Sequence, residues 1–183
     1  PKNYPFKGNR YLFIAGSIEM GAAEKWQDRV VKELKDTKWT ILNPRRDDWD
    51  SSWEQSIEND KFVEQVVWEL DGLKKAEAVL IYFDSTTKSP ITLLELGLMA
   101  GYYYTTERFK EVVVLCPDGF YRKGNVDVVC ERYKIKQCNS LQDAIRFFRE
   151  YFHGYEKIII KFNTAISETQ RKELYSFLEN FMN

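Results

Sequence analysis

A chain of 183 residues with 44% hydrophobic and 30% charged side chains is long enough for one domain with a sizeable core. Lysine and arginine number 27 against 28 aspartates and glutamates, so the net charge of −1 gives no electrostatic argument for a nucleic-acid or anionic-membrane partner and points to a small molecule. No apolar run approaches the roughly 18 residues of a spanning helix, the segment PKNYPFKGNR lacks the apolar core of a secretory signal, and Cys116, Cys130 and Cys138 form an odd set without CxxC spacing. The expectation is a cytoplasmic protein with reduced thiols.

In chain order, Tyr11 to Ala15 is a continuous apolar run ending at Gly16-Ser17, which suits a buried parallel strand feeding a loop. Ala22 to Lys35 reads as an amphipathic helix with Ala22, Trp26, Val30 and Leu34 on one face, and Trp39 to Leu42 as a second strand. Together they have the length of a βαβ unit. Residues 43 to 60, NPRRDDWDSSWEQSIEND, follow neither period, and a loop this long inside a compact domain suggests a lid or binding segment. Trp49 or Trp53 within it could stack on a planar base, and core anchoring is the alternative for Trp53.

Helical period returns from Asp60 to Lys75, with Phe62, Val63, Val66, Val67, Leu70 and Leu73 as the expected buried face and Glu69 at its border. Ala78 to Phe83 is a third strand. A polar loop follows, and then a helix announced by Ser89 as a cap and Pro90 at the first helical position, where a missing N–H costs nothing. Val112 to Leu115 is a fourth strand, Asn125 to Arg132 a helix, Tyr133 to Gln137 a short edge strand and Leu141 to Phe152 another helix. This alternation predicts an α/β fold: a flavodoxin-like, open, parallel five-stranded sheet in the order 2-1-3-4-5 with helices on both faces. The domain is expected over residues 1–152. Residues 153–183, with an apolar run at 157–162 and a helical pattern at 167–181, form a strand-helix extension.

From Ile91 to Tyr104 the third helical segment carries one charged side chain, Glu95, with Ile91, Thr92, Leu98 and Met99 at helical spacing around it. An isolated carboxylate on such a face is costly unless it has a partner or a task. In folds of this kind ligands bind beyond the carboxyl ends of the strands, where the strand order reverses. That crevice would be built from Gly16-Ser17-Ile18, residues 43–53, Asp84 to Pro90 and Pro117 to Asn125. Neither GxGxxG nor GxxxxGK[ST] is present. Gly16 reads either as a tight-turn glycine or as backbone approaching a ligand, and Ser17 either as a ligand contact or a helix cap.

His153 is the only histidine, which removes most imidazole bases and any multi-histidine metal site. Proton transfer falls to carboxylates, and the natural reaction is displacement at a sugar carbon by one carboxylate with a second as acid/base. Glu95 is the candidate nucleophile. Glu69 is its candidate partner, or an ordinary exposed glutamate, while Arg45 and Arg46 suit oxyanions or salt bridges.

The segments FIAGS at 13–17, NPRRDDW at 43–49, WELDGLKKA at 68–76, SPITLLELG at 89–97 and CPDGFYRKGNVD at 116–127 resemble the nucleoside 2-deoxyribosyltransferase family. The resemblance implies the same α/β fold and exchange of nucleobases on 2′-deoxyribose through a covalent deoxyribosyl-glutamate, without cofactor or metal. It implies that Glu95 is the nucleophile and that Glu69 positions the nucleobase and manages its proton. Gly16, Ser17, Ile18, Pro44, Arg45, Asp48, Trp49 and Ser89 would line the substrate. Asn125 would reach the site of a neighbouring subunit, so a homo-oligomer with shared sites is expected. Many transferases carry aspartate where this chain has Ser89, whereas the related deoxynucleoside 5′-monophosphate N-glycosidases have serine. A first-strand tyrosine found in some members corresponds here to Leu12 or Phe13. The alternatives to base exchange are hydrolysis of 5′-monophosphates and a non-catalytic nucleotide-binding module.

Overall fold

A computed structural model describes Phe6 and residues 10–18, 25–46, 52–105, 110–151, 167 and 169, with backbone alone at 102–105. The chain divides into two compact units, Pro1–Arg146 and Phe147–Asn183. The first contains β1 (Tyr11–Gly16), α1 (Trp26–Leu34), β2 (Thr40–Leu42), α2 (Asp60–Lys75), β3 (Ala78–Tyr82), α3 (Pro90–Thr105), β4 (Glu111–Leu115), α4 (Lys123–Tyr133) and β5 (Lys136–Cys138). A fifth helix, α5, spans 141–151. Within the second, the Phe147 ring packs edge-on against Phe148 and Tyr151. The predicted tail elements at 157–162 and 167–181, and His153, lie outside the described residues or are described only at single positions.

The five strands form one parallel sheet in the order β2-β1-β3-β4-β5, the flavodoxin-like order expected from the alternation of elements. Leu12 lies opposite Ala78 and Gly16 opposite Tyr82, so β1 and β3 end together at one edge. Strands covered on both faces read as unbroken apolar runs, and residues 11–15 and 78–81 are all buried. Tyr11, Phe13, Ala15, Val79, Ile81 and Phe83 join one core with Trp68 and Leu73 of α2, Leu96 and Met99 of α3, and Val126 and Cys130 of α4. The alternate residues Leu12, Ile14, Leu80 and Val113 point to the other face and are equally buried. No helix among the described residues is long and apolar enough to cross a membrane.

Helix α2 begins where predicted, with the Asn59 side chain accepting from the backbone N–H groups of Lys61 and Phe62. At its other end Lys110, 4% exposed, donates to the carbonyls of Leu73, Lys74 and Ala76, groups the helix leaves unpaired. Its inner face is rotated from the expected one. Gln65, Trp68, Gly72 and Leu73 are buried, whereas Val67 and Leu70 are 42% and 46% exposed. The cause is Gly72: a Cβ there would stand 2.8 Å from Phe13 Cε2, so the helix sits down on the sheet along its glycine line.

Two boundaries also move. Helix α1 is described only from Trp26, and residues 22–24 of the predicted helix lie outside the described set. The edge strand is Lys136–Cys138 rather than 133–137, because Tyr133 ends α4 and Lys134 turns the chain in the left-handed conformation at φ 57°.

Candidate active site

At the shared edge of β1 and β3 the chain passes very close to its neighbours. Gly16 has φ 153°, and a Cβ at this position would collide with the Tyr82 carbonyl oxygen and the Trp26 ring. The glycine therefore lets β1 exit against β3. The Trp26 indole packs on Tyr82 with centroids 5.0 Å apart and donates to the Ser17 carbonyl at 3.1 Å.

Directly beyond lie three hydroxyls from two segments: Ser17, Thr87 and Ser89, which are 1%, 7% and 6% exposed. Ser17 Oγ is 2.5 Å from Ser89 Oγ, and Thr87 Oγ1 is 2.9 Å from Ser17 Oγ and 2.7 Å from Ser89 Oγ. Ser17 Oγ also accepts from the Asp84 N–H at 2.8 Å. This cluster ties the exit of β1 to the loop before α3. Ser89, the predicted cap, sits at φ 46°, a left-handed conformation rare for a non-glycine residue, while its carbonyl accepts from Leu93 N–H in the first turn.

Helix α3 then presents Glu95 one turn further on. The carboxylate is 7% exposed and has no hydrogen-bond partner among the described residues. Its surroundings are less uniformly apolar than the spacing suggested: Thr92 and Met99 are buried, but Ile91 and Leu98 are 59% and 42% exposed. Glu95 thus stands at the border between core and surface. Burial, and then the charge of Glu69, push its pKa up to about 8. Glu69 of α2 is also raised by burial, against the opposing effect of a hydrogen bond from Gln65 Nε2 to its Oε1 at 2.8 Å. Two buried carboxyls close enough to repel share protons rather than both ionising.

The segment after β2 closes the same edge. Pro44 is buried and its carbonyl accepts from Gln65 Nε2 at 3.2 Å, and Arg46 Nη1 donates to Gln65 Oε1 at 3.3 Å. The Arg46 guanidinium and the Lys61 ammonium each lie 5.6 Å from the Trp53 ring centroid, within cation–π range. Arg45 Nη1 is 3.4 Å from Oε1 of the fully buried Gln27, whose Nε2 has no partner among the described residues. Ile18 is half-buried beside Ser17, and Asn125 is exposed on α4. Asp48 and Trp49 lie outside the described residues.

The fold therefore gathers Gly16, Ser17, Pro44, Arg45, Glu69, Ser89 and Glu95 along one edge, and leaves Asn125 on an outer surface. Sequence reasoning passed over Gln27, Gln65 and Thr87. For Gln65 a signal existed: it stands four residues before Glu69, the spacing at which helical side chains meet. Burial pushes the Cys116 thiol up to about 11 and the Cys130 thiol up to about 12, which favours the protonated form of both.

Residues 9–120, more than half of the chain, match a family described as nucleoside 2-deoxyribosyltransferase like. Among solved structures, the chain is similar to the crystal structure of a conserved protein from Enterococcus faecalis V583, at TM-score 0.53 and 13% identity, covering 76% of this chain and 96% of that one. At that identity the likeness carries the fold alone. No curated protein matches the chain.

Proposed function

The chain belongs to the nucleoside 2-deoxyribosyltransferase-like family, and on that premise we propose that it exchanges nucleobases on 2′-deoxyribonucleosides through an ester on Glu95. The observation that carries this reading is a buried Glu95 carboxylate with no hydrogen-bond partner among the described residues, its pKa raised further by the charge of a second carboxylate, Glu69. A structural glutamate in such a place would have a hydrogen-bonding partner. An ion that is to form a bond to carbon must keep an oxygen unengaged.

The chemistry follows from the proton count. At neutral pH burial keeps the pair's proton mainly on Glu95, and the productive arrangement is the one in which it has passed to Glu69 and left Glu95 ionised. Glu95 then attacks C1′ and forms a C–O bond while the glycosidic C–N bond breaks. The electron pair of that bond leaves with the base, whose nitrogen takes the proton from Glu69. An incoming base returns a proton to Glu69, attacks C1′ and releases the Glu95 carboxylate, so two inversions give overall retention. Water in place of the base yields slow hydrolysis.

The hydroxyl cluster favours a nucleoside over its 5′-monophosphate. Ser89 is bonded to Ser17 and Thr87, and a phosphate would have to draw it out of that ring. Assays of a deoxynucleoside and its 5′-monophosphate, with and without acceptor base, separate the two substrates. Exchange restricted to the nucleoside is expected, and base release from the monophosphate alone would make the protein a hydrolase. Quenching with a 2′-fluoro deoxynucleoside should leave a sugar adduct on the Glu95 peptide by mass spectrometry.

A second copy of the chain fits the same reading. Ile91, Leu94 and Leu98 of α3 are 59%, 59% and 42% exposed, with Val67 and Leu70 of α2 also open. Such apolar stripes mark association surfaces, and Asn125 on α4 would be free to reach a neighbour's site. Sedimentation should find an oligomer that Leu94→Arg dissociates.

A further inference from the structure

Gln65 belongs to no part of the chemistry described so far, yet both ends of its amide are engaged. It is 4% exposed and lies on the inner line of α2 with Trp68 and Gly72. A primary amide has two N–H donors and one acceptor oxygen. Here one N–H goes to Glu69 Oε1 at 2.8 Å, Nε2 also donates to the Pro44 carbonyl at 3.2 Å, and the oxygen accepts from Arg46 at 3.3 Å. Turning the amide over would aim its oxygen at a carboxylate and a carbonyl and its NH2 at a guanidinium. Three partners on two elements therefore fix one orientation.

The consequence lies with Glu69. One of its oxygens is held by Gln65, and the other has no partner among the described residues. We infer that Gln65 is a positioning residue: it clamps one oxygen of Glu69, leaves the other to the nucleobase, and through Arg46 and Pro44 couples Glu69 to the segment that follows β2. The charged groups facing the clamp are Glu69 on its own helix, Arg46 from that segment and Glu95 from α3, the last through its repulsion with Glu69.

A donor aimed at a carboxylate favours its ionised form. Losing it makes every proton release from the pair harder, so both limbs of the pH–rate profile should move to higher pH. This inference rests on the proposed function for its kinetic half, but not for its titration half. In Gln65→Met, which keeps the volume and removes the amide, 13C NMR of labelled glutamate carboxyls should show Glu69 titrating at higher pH than in the parent protein. kcat should fall by up to about 100-fold with a smaller change in KM, and Arg46→Met, which frees the amide from the outside, should move the same titration in the same direction by less. Unmoved titration in both variants would overturn the inference, whether or not activity fell, since a merely structural glutamine alters the folded fraction and not the proton affinity. If Glu95→Ala stayed fully active while the Glu69 titration still moved, the proposed function would fall and the positioning role would stand. If Glu95→Ala were inactive and Glu69 did not move, the reverse would hold.

Discussion

Two polar groups of residues are buried at the carboxyl edge of this sheet, and they are built on opposite principles. The hydroxyls of Ser17, Thr87 and Ser89 are bonded to one another, with Asp84 N–H feeding the ring. The carboxyls of Glu69 and Glu95 repel each other, and among the described residues the one hydrogen bond they receive comes from Gln65. A closed neutral network rigidifies the backbone around it, while an open charged pair raises the free energy of the folded state and holds unspent binding capacity. On the proposed reading the first belongs to architecture and the second to chemistry. They are adjacent because the loop containing Thr87 and Ser89 is also the start of the helix that carries Glu95.

Removing the proposed nucleophile tests that contrast most severely. Glu95→Ala should lower base exchange by about 10⁴-fold or more, read by chromatography of the exchanged nucleoside, and retention of full exchange would make the open pair a structural oddity. The same carboxyl should leave a mark on stability. The unfolded chain ionises Glu95 above its ordinary 4.5, whereas the folded chain keeps the proton until about 8, so folding takes up a proton across that window and stability falls as pH rises through it. The destabilisation is on the order of 4 kcal/mol at pH 8 and above. Glu95→Gln should therefore raise the melting temperature by roughly 8–16 °C at pH 8.5, with the gain shrinking toward pH 4.5. A gain that did not depend on pH would remove the carboxyl's proton from the explanation.

The closed network should respond in the opposite sense. Thr87→Val deletes one hydroxyl and leaves Ser17 and Ser89 short of a partner, which should cost about 1–3 kcal/mol in urea denaturation at every pH. Gly16→Ala, one residue away from the same ring, should cost a similar ~1–3 kcal/mol by forcing a methyl into Tyr82 and Trp26. The smallest effect belongs to Ser89→Gly. It relieves a left-handed backbone and loses a hydrogen bond, so thermal melts should show a net change within about 1 kcal/mol.

Much of this was legible before any coordinates. Strands 11–15 and 78–83 announced themselves as continuous apolar runs because both faces of a parallel sheet are covered. The lone glutamate of α3 stood out because nothing charged surrounds it for thirteen residues of helix. Apolar periodicity misled only where it was broad: Val67 and Leu70 fit the α2 pattern, but Gly72 against Phe13 decided which line of the helix faces the sheet.

Local pattern and composition thus determined the parallel sheet, its strand order and the identity of the unusual carboxylate, since these depend on neighbours in the chain and on which side chains avoid water. Tertiary structure alone decided that Ser17 meets Thr87 and Ser89 across about 70 residues of chain. It also decided that Gln65 holds Glu69 to the segment after β2. Such contacts are fixed by where strand ends converge, and no period within a single helix or strand encodes that distance.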